Sequence, residues 1–146
     1  MLRRARADDG SILPLIAGYG ALALLVVLVV TAATSLYLER TRLLTLADGA
    51  ALAGAEAFAL DDLVVEGGQV VRPRLDDAEV RAAVEQYLSE APIERFEGLK
   101  LERAESDDTV SATVALSSFW RPPVVTLFVP EGIRLEVTAV GRSVFG

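Results

Sequence analysis

The chain contains no histidine and no cysteine. Their absence excludes disulfides, catalytic triads built on either residue, and zinc sites of the usual kind. The net charge is −7, and the basic residues form no clustered patch, which argues against nucleic-acid binding. We therefore expect a protein that is not an enzyme and that needs no cofactor or metal.

Three pairs of neighbouring aspartates lie where turns and helix caps are expected, at 61–62, 76–77 and 107–108. The alternative is a calcium site with oxygen ligands outside the cell, but the sequence has no D-x-[DN]-x-[DN]-G loop. Gly67-Gly68 also lacks the context of a phosphate-binding loop. The pairs are therefore interpreted as turn and capping residues.

The longest feature of the sequence is a charge-free stretch between Asp9 and Glu39. About 20 apolar residues are enough to cross a bilayer, and such a segment must be helical because lipid offers no partners to its backbone. One interpretation is a cleavable secretory signal, with arginines before it and a cleavage site among Thr31-Ala32-Ala33. The other is a permanent anchor, which the length favours because signal cores usually span about 7–15 residues.

The flanking residues predict the orientation of this span. Three arginines precede it, at positions 3, 4 and 6, whereas Arg40 and Arg42 follow it, and all of the foldable sequence lies after Leu38. We expect a single-pass protein of the plasma membrane, with its N-terminus in the cytoplasm and its C-terminal domain outside.

The helix is expected to continue beyond the membrane, from about Ile12 to about Leu60, because alanine and leucine dominate and no proline interrupts. Small residues recur every four positions at Ala47, Ala51, Ala55 and Ala59. Such residues let a neighbouring backbone approach closely. They pack on the chain's own sheet, on other subunits, or on both. Asp48 either faces water or meets a partner's donor or positive group.

The C-terminal sequence predicts a small α+β domain. A hairpin is expected over 63–71, and a helix opens at Asp76 with Glu79 completing a capping box and closes near Ala91. Alternation predicts strands at 99–106, 110–117 and 133–139, and the apolar run 124–129 is also strand-like. The prediction is a long transmembrane helix and stalk packed on an antiparallel sheet of three or four strands with one short helix. Its divisions are a tail at 1–10, span and stalk at 11–60, and the extracytoplasmic domain at 61–146.

The sequence Phe119-Trp120-Arg121-Pro122-Pro123 interrupts the strand pattern. Its rings either cap the core at a crossover of the sheet or form an exposed hydrophobic anchor for another subunit. Phe119 and Trp120 are therefore candidate contact residues.

Three segments resemble the TadE/TadG-like pilin-related proteins of tight-adherence (Flp-type) pilus systems, in the form found in actinobacteria. The opening Asp9–Leu15 is similar to the glycine-led start of the family's hydrophobic segment. Leu43–Ala55 is similar to its "ADxAALAGA" block, the most specific match. The tail, Val110–Leu116, Pro122-Pro123 and Leu135–Val140, is similar to the family's closing strand–linker–strand.

The resemblance implies a membrane-embedded, pilin-like accessory subunit with its C-terminal domain on the outer face. Its implied partners are pilin-like subunits and the inner-membrane pilus platform, in a hetero-oligomer. Precursors cut by prepilin peptidase usually carry glutamate five residues after the glycine, and Leu15 stands there in this sequence. This departure favours an uncleaved anchor over processing between Gly10 and Ser11.

Two other functions fit the same residues. One is a single-pass membrane protein whose extracytoplasmic domain binds a ligand or an envelope partner unrelated to pili. The other is a secreted domain released by signal cleavage, in which the alanine-rich helix is an ordinary soluble element.

Overall fold

The computed structural model describes residues 12–57, the backbone of 65–66 and 69–70, and residues 75–142. These residues fall into two compact units that divide between Leu36 and Tyr37. The two units are described separately below.

The first unit is the apolar part of helix α1, which as a whole spans Ile12–Ala55. None of its described side chains is buried. Within the described part of the chain, α1 is the helix that is long and apolar enough to cross a membrane. The Thr31 and Thr34 hydroxyls donate to the carbonyls of Val27 and Val30 at 2.8 and 2.9 Å. Each hydroxyl is thus satisfied within the helix, as an apolar surrounding requires.

The second unit begins with residues 37–55 of α1 and continues with a hairpin, β1 (Val65–Glu66) and β2 (Gln69–Val70). Helix α2 (Asp77–Glu90) leads through a 3-10 turn to strand β3 (Glu97–Glu105). Strand β4 (Ser111–Trp120), the short helix α3 (Pro123–Thr126) and strand β5 (Ile133–Arg142) complete the unit. The sheet is antiparallel with order β3-β4-β5. The predicted α+β fold is confirmed.

The boundaries differ from the expectations in three places. Helix α1 ends at Ala55, where the Ala57 N–H turns back to the Gly54 carbonyl at 3.3 Å, instead of continuing to Leu60. The run 124–129 begins with α3 and is not a strand, because prolines at its start favour a helical first turn. Strand β4 continues through Trp120, where a break was expected.

The predicted capping box on α2 is absent. Asp76 is the N-cap residue, but its side chain makes no capping hydrogen bond. The neighbouring Asp77 carboxylate instead accepts a hydrogen bond from the Ser106 N–H at 2.8 Å. One Glu79 carboxylate oxygen is buried without a hydrogen-bond partner among the described residues. The start of α2 is therefore held by a contact of Asp77 with a distant turn, without a side-chain cap at Asp76.

The core forms where the small-residue face of α1 meets the sheet and α2. Ala47, Ala50 and Ala51 are completely buried there. A Cβ added to Gly141 of β5 would lie 2.8 Å from the Leu52 nitrogen and closer still to the Ala51 carbonyl group. Helix and strand backbones are thus in direct contact at this point, which larger side chains would prevent.

Helix α2 runs antiparallel to α1 within this unit. Val80 and Val84 lie beside Gly54, and Tyr87 lies beside Gly49. The residues after α2 reach further along α1, because Phe96 shares a groove with Arg42.

The pairing of the strands shows which connections lie at each end of the unit. Glu97 follows Phe96 directly and pairs with Phe119, and Trp120 pairs with Ile133. The end of the unit that holds Arg42, Phe96 and the β4–β5 connection is called the Arg42 end. The opposite end of the sheet holds Ser111 and Arg142, near Gly54 of α1.

Replacing Gly141 by alanine tests the close approach of helix and strand. The new Cβ would meet backbone atoms that cannot rotate away, so we expect a loss of roughly 1–3 kcal/mol of folding stability. Trp120 is the single tryptophan and is buried in this unit, so its fluorescence on heating the full chain in detergent reports the unfolding. Val140→Ala, at an exposed neighbouring position, is the control. Equal melting temperatures for G141A and the wild type would contradict the packing described.

Candidate assembly surfaces

The predicted small-residue row lies inside the second unit. Ala47, Ala51 and Ala55 are each completely buried against the unit's own core. This arrangement agrees with the interpretation that the row packs on its own domain. Three candidate residues, Gly10, Ser11 and Ala59, lie outside the described residues.

Beside this buried row, α1 presents an exposed row, called here the outer stalk face and defined by Leu44, Asp48 and Leu52. Leu44 is 39% exposed and Leu52 is 45% exposed, and the Asp48 side chain lies between them, also exposed. Each leucine lies one helical turn from Asp48, so the three side chains are neighbours on one face of the helix. This face can make apolar contacts and one charged contact with the same partner. Sequence reasoning singled out Asp48 but missed the two leucines, although the spacing of four was available.

The aromatic candidates lie in largely covered positions of the second unit. Trp120 is only 7% exposed at the end of β4. Phe119 is half-buried, and the Arg121 guanidinium lies over its ring at 5.5 Å from the centroid. These positions agree with rings that close the end of the core.

The exposed apolar residues of this region lie further along, in the β4–β5 connection. Leu127 is 79% exposed and Phe128 is 84% exposed. Sequence reasoning missed them because the apolar run was interpreted as strand-like. The available signal was an uncharged run enclosed by prolines at 122–123 and 130.

A groove of about 350 Å³ opens at the Arg42 end, between α1 and the segment that follows α2. Its floor is apolar, and two arginines stand among its lining residues. The lining comprises Arg42, Thr45, Leu46, Tyr87, Ala91, Pro92, Arg95 and Phe96. The Thr45 hydroxyl is engaged with the Thr41 carbonyl at 3.0 Å, so its proton is already used within the helix.

The sheet face turned away from the core carries charges of both signs. The Glu102 carboxylate accepts hydrogen bonds from the Ser117 hydroxyl at 2.6 Å and from Arg134 at 2.9 Å. The pKa of Glu102 is lowered, chiefly by the hydrogen bond from the Ser117 hydroxyl and further by the positive charge of Arg134. Partial desolvation of the carboxylate opposes this shift, but its effect is smaller than that of the hydroxyl. Arg134 also approaches Glu136 at 3.7 Å. Glu102 on β3, Ser117 on β4, and Arg134 and Glu136 on β5 thus form a polar network that spans all three strands.

The turn between β3 and β4 uses one of the aspartate pairs as predicted. The Asp108 carboxylate accepts from the N–H groups of Ser111 at 2.6 Å and Val110 at 3.0 Å, and from the Ser111 hydroxyl at 2.8 Å. These hydrogen bonds lower the pKa of Asp108. Thr109 adopts a positive φ of 61° in the same turn. Within the described residues, no cluster of acidic side chains could hold a metal ion.

The Glu102 network generates a pH prediction. Because hydrogen bonding lowers the pKa in the folded state, the carboxylate contributes stability that is present above the unfolded-state pKa of about 4.3 and is lost as the pH falls through the folded-state pKa. Ser117→Ala removes the largest cause and should move the Glu102 titration to higher pH. The titration can be followed by carboxyl ¹³C NMR of the full chain in detergent micelles.

Ser89→Ala is the matched control, because the Ser89 hydroxyl donates only to a backbone carbonyl on α2. It should leave the Glu102 titration unchanged. The same titration curve in S117A and the wild type would show that the hydroxyl does not govern this carboxylate.

Comparison with known proteins gives one result over the N-terminal part of the chain. Residues 10–57 match the family model described as "Putative Flp pilus-assembly TadE/G-like". The predicted resemblance is thereby confirmed for this segment, which contains all of α1 and the outer stalk face. No curated protein and no solved structure matches the chain.

Proposed function

From the premise that residues 10–57 are a TadE/G-like segment and support a role in Flp pilus assembly, we propose that this chain is a non-catalytic, minor pilin-like subunit. In this proposal it acts within a tight-adherence pilus or a related secretion machine. The observation that carries the proposal is that the matched segment combines an apolar span with the exposed outer stalk face.

The proposed topology follows the distribution of charge and apolar surface. The span anchors the chain in the plasma membrane with the N-terminus inside, and the remainder lies outside. Residues 1–10 form the cytoplasmic tail, 11–60 the span and stalk, and 61–146 the extracytoplasmic domain. The anchor is uncleaved, which Leu15 supports.

The proposed mechanism is helix packing with other pilin-like subunits. In the apolar part of α1, the chain itself leaves most of the described side chains exposed, and these are available for packing against a neighbouring helix. On the stalk, the small residues are used internally, so the outer stalk face is the side that remains for a neighbour. Leu44 and Leu52 supply apolar contact, and Asp48 selects a neighbour that offers a donor or a positive group.

The charged sheet face adds a second level of selection. Fixed charges such as those of Glu102 and Arg134 favour a partner with a complementary pattern and disfavour others. The partners in this proposal are other pilin-like subunits and the inner-membrane pilus platform, which together make a hetero-oligomer.

Charge reversal on the outer stalk face tests the mechanism. Asp48→Lys should sharply reduce co-purification of pilin-like subunits from native membranes, because a partner's positive group would then face a like charge. The Asp48 side chain is exposed, so the melting curve of Trp120 fluorescence should not change. Glu85→Lys, an exposed reversal on α2, is the matched control and should retain the partners.

A gene deletion completes the test. Cells lacking the chain should have absent or altered pili, restored by the wild type and by E85K but not by D48K. Pili of normal number and length in the deletion strain would refute the assembly role and favour a partner-binding membrane protein unrelated to pili.

A further inference from the structure

Among the described residues of the second unit, the β4–β5 connection carries the most exposed large apolar side chains, Leu127 and Phe128. No charged residue occurs from Pro122 to Pro130. Exposed apolar surface that is concentrated in this way marks a contact with another molecule or with a membrane.

Several backbone N–H groups of this connection are paired within its own turns. The Phe128 and Val129 N–H groups donate to the Val125 carbonyl at 3.0 and 2.8 Å, and the Gly132 N–H donates to the Val129 carbonyl at 3.0 Å. The Thr126 hydroxyl donates to the Pro123 carbonyl at 3.0 Å. Each of these internal hydrogen bonds lowers the cost of bringing the loop to the interface of an apolar medium.

The charged residues at the base of the connection are held away from its tip. Arg121 donates to the Glu131 carbonyl at 3.0 Å and pairs with the Glu97 carboxylate at 3.4 Å. These bonds tie both ends of the connection to the sheet. The apolar tip is therefore presented on a fixed base.

The position of the connection identifies its partner. It lies at the Arg42 end of the unit, because it joins Trp120 to Ile133 beside the Glu97–Phe119 pair. Along α1, Leu38 is the last residue of the apolar run, and Arg42 follows it by about 6 Å at 1.5 Å per residue. The charged residues that begin at Glu39 mark the level at which the chain leaves the bilayer.

We propose that the β4–β5 connection is a second membrane contact, in which Leu127 and Phe128 insert into the interface of the bilayer that holds the chain's own span. The occupant is lipid, because the tip is uncharged, several of its N–H groups are paired internally, and it lies at the end of the unit from which α1 leads to the span. This contact goes beyond the proposed assembly role and does not require it.

The test uses the full chain, whose lack of cysteine allows a single labelling site. Leu127→Cys carries an environment-sensitive nitrobenzoxadiazole label, and the protein is reconstituted in vesicles of phosphatidylcholine and phosphatidylglycerol. Val140→Cys is the matched control, because Val140 is 64% exposed but belongs to the other half of β5. We expect blue-shifted emission at position 127 with strong quenching by doxyl-labelled lipids, and aqueous emission quenched by iodide at position 140.

Two results would overturn the proposal. One is a label at 127 that iodide quenches as readily as the label at 140. The other is a label at 127 that leaves water only when another pilin-like subunit is added, which would make the connection a protein contact. The vesicles contain no other pilus component, so a failure of the assembly role leaves this measurement unaffected.

Discussion

The close approach of the α1 backbone to the sheet is the constraint on which the second unit depends. Gly141 lies against the Ala51 carbonyl, and a Cβ on Gly54 would be 3.1 Å from that of Ala112. At such separations only glycine and alanine fit, so the small residues of the stalk must face inward. Leu44, Asp48 and Leu52 lie outside this contact and are exposed, whereas Leu43 and Leu46 are buried with the small residues. One packing requirement therefore determines which side of the helix a neighbour can reach.

Local patterns in the sequence predicted the elements of the fold, since the apolar period of α2 and the alternation in β4 and β5 are properties of neighbouring residues. Features that depend on contacts between residues far apart in the sequence were not predicted. The capping box at Asp76 did not form, although the adjacent Asp77 accepts a hydrogen bond from the distant Ser106, and α3 replaced a strand although its composition suited one. Likewise, no local pattern indicates that Ser118, a hydroxyl residue, is completely buried on a central strand.

The candidate surfaces were also predicted only where a local sequence pattern indicated them. Asp48 was identifiable because one charge stands out in an apolar run, whereas Trp120 was a poor guide to exposure because a large ring suits a core and an interface equally. Confirmation of the family over residues 10–57 and the fold of the remainder fit together physically. The matched helix contains the candidate span, and its residues from Leu43 to Ala55 also form part of the core of the second unit.

The three-stranded sheet has two edge strands, and these bear on aggregation. Among the described residues, β3 and β5 each pair only with β4, which leaves two borders with unused backbone groups. Exposed edge strands of this kind tend to pair with strands of other molecules. Charged side chains along them, including Lys100 and Arg103 on β3 and Arg134 and Glu136 on β5, make that pairing unfavourable. Edge-to-edge pairing between copies of the chain is therefore disfavoured.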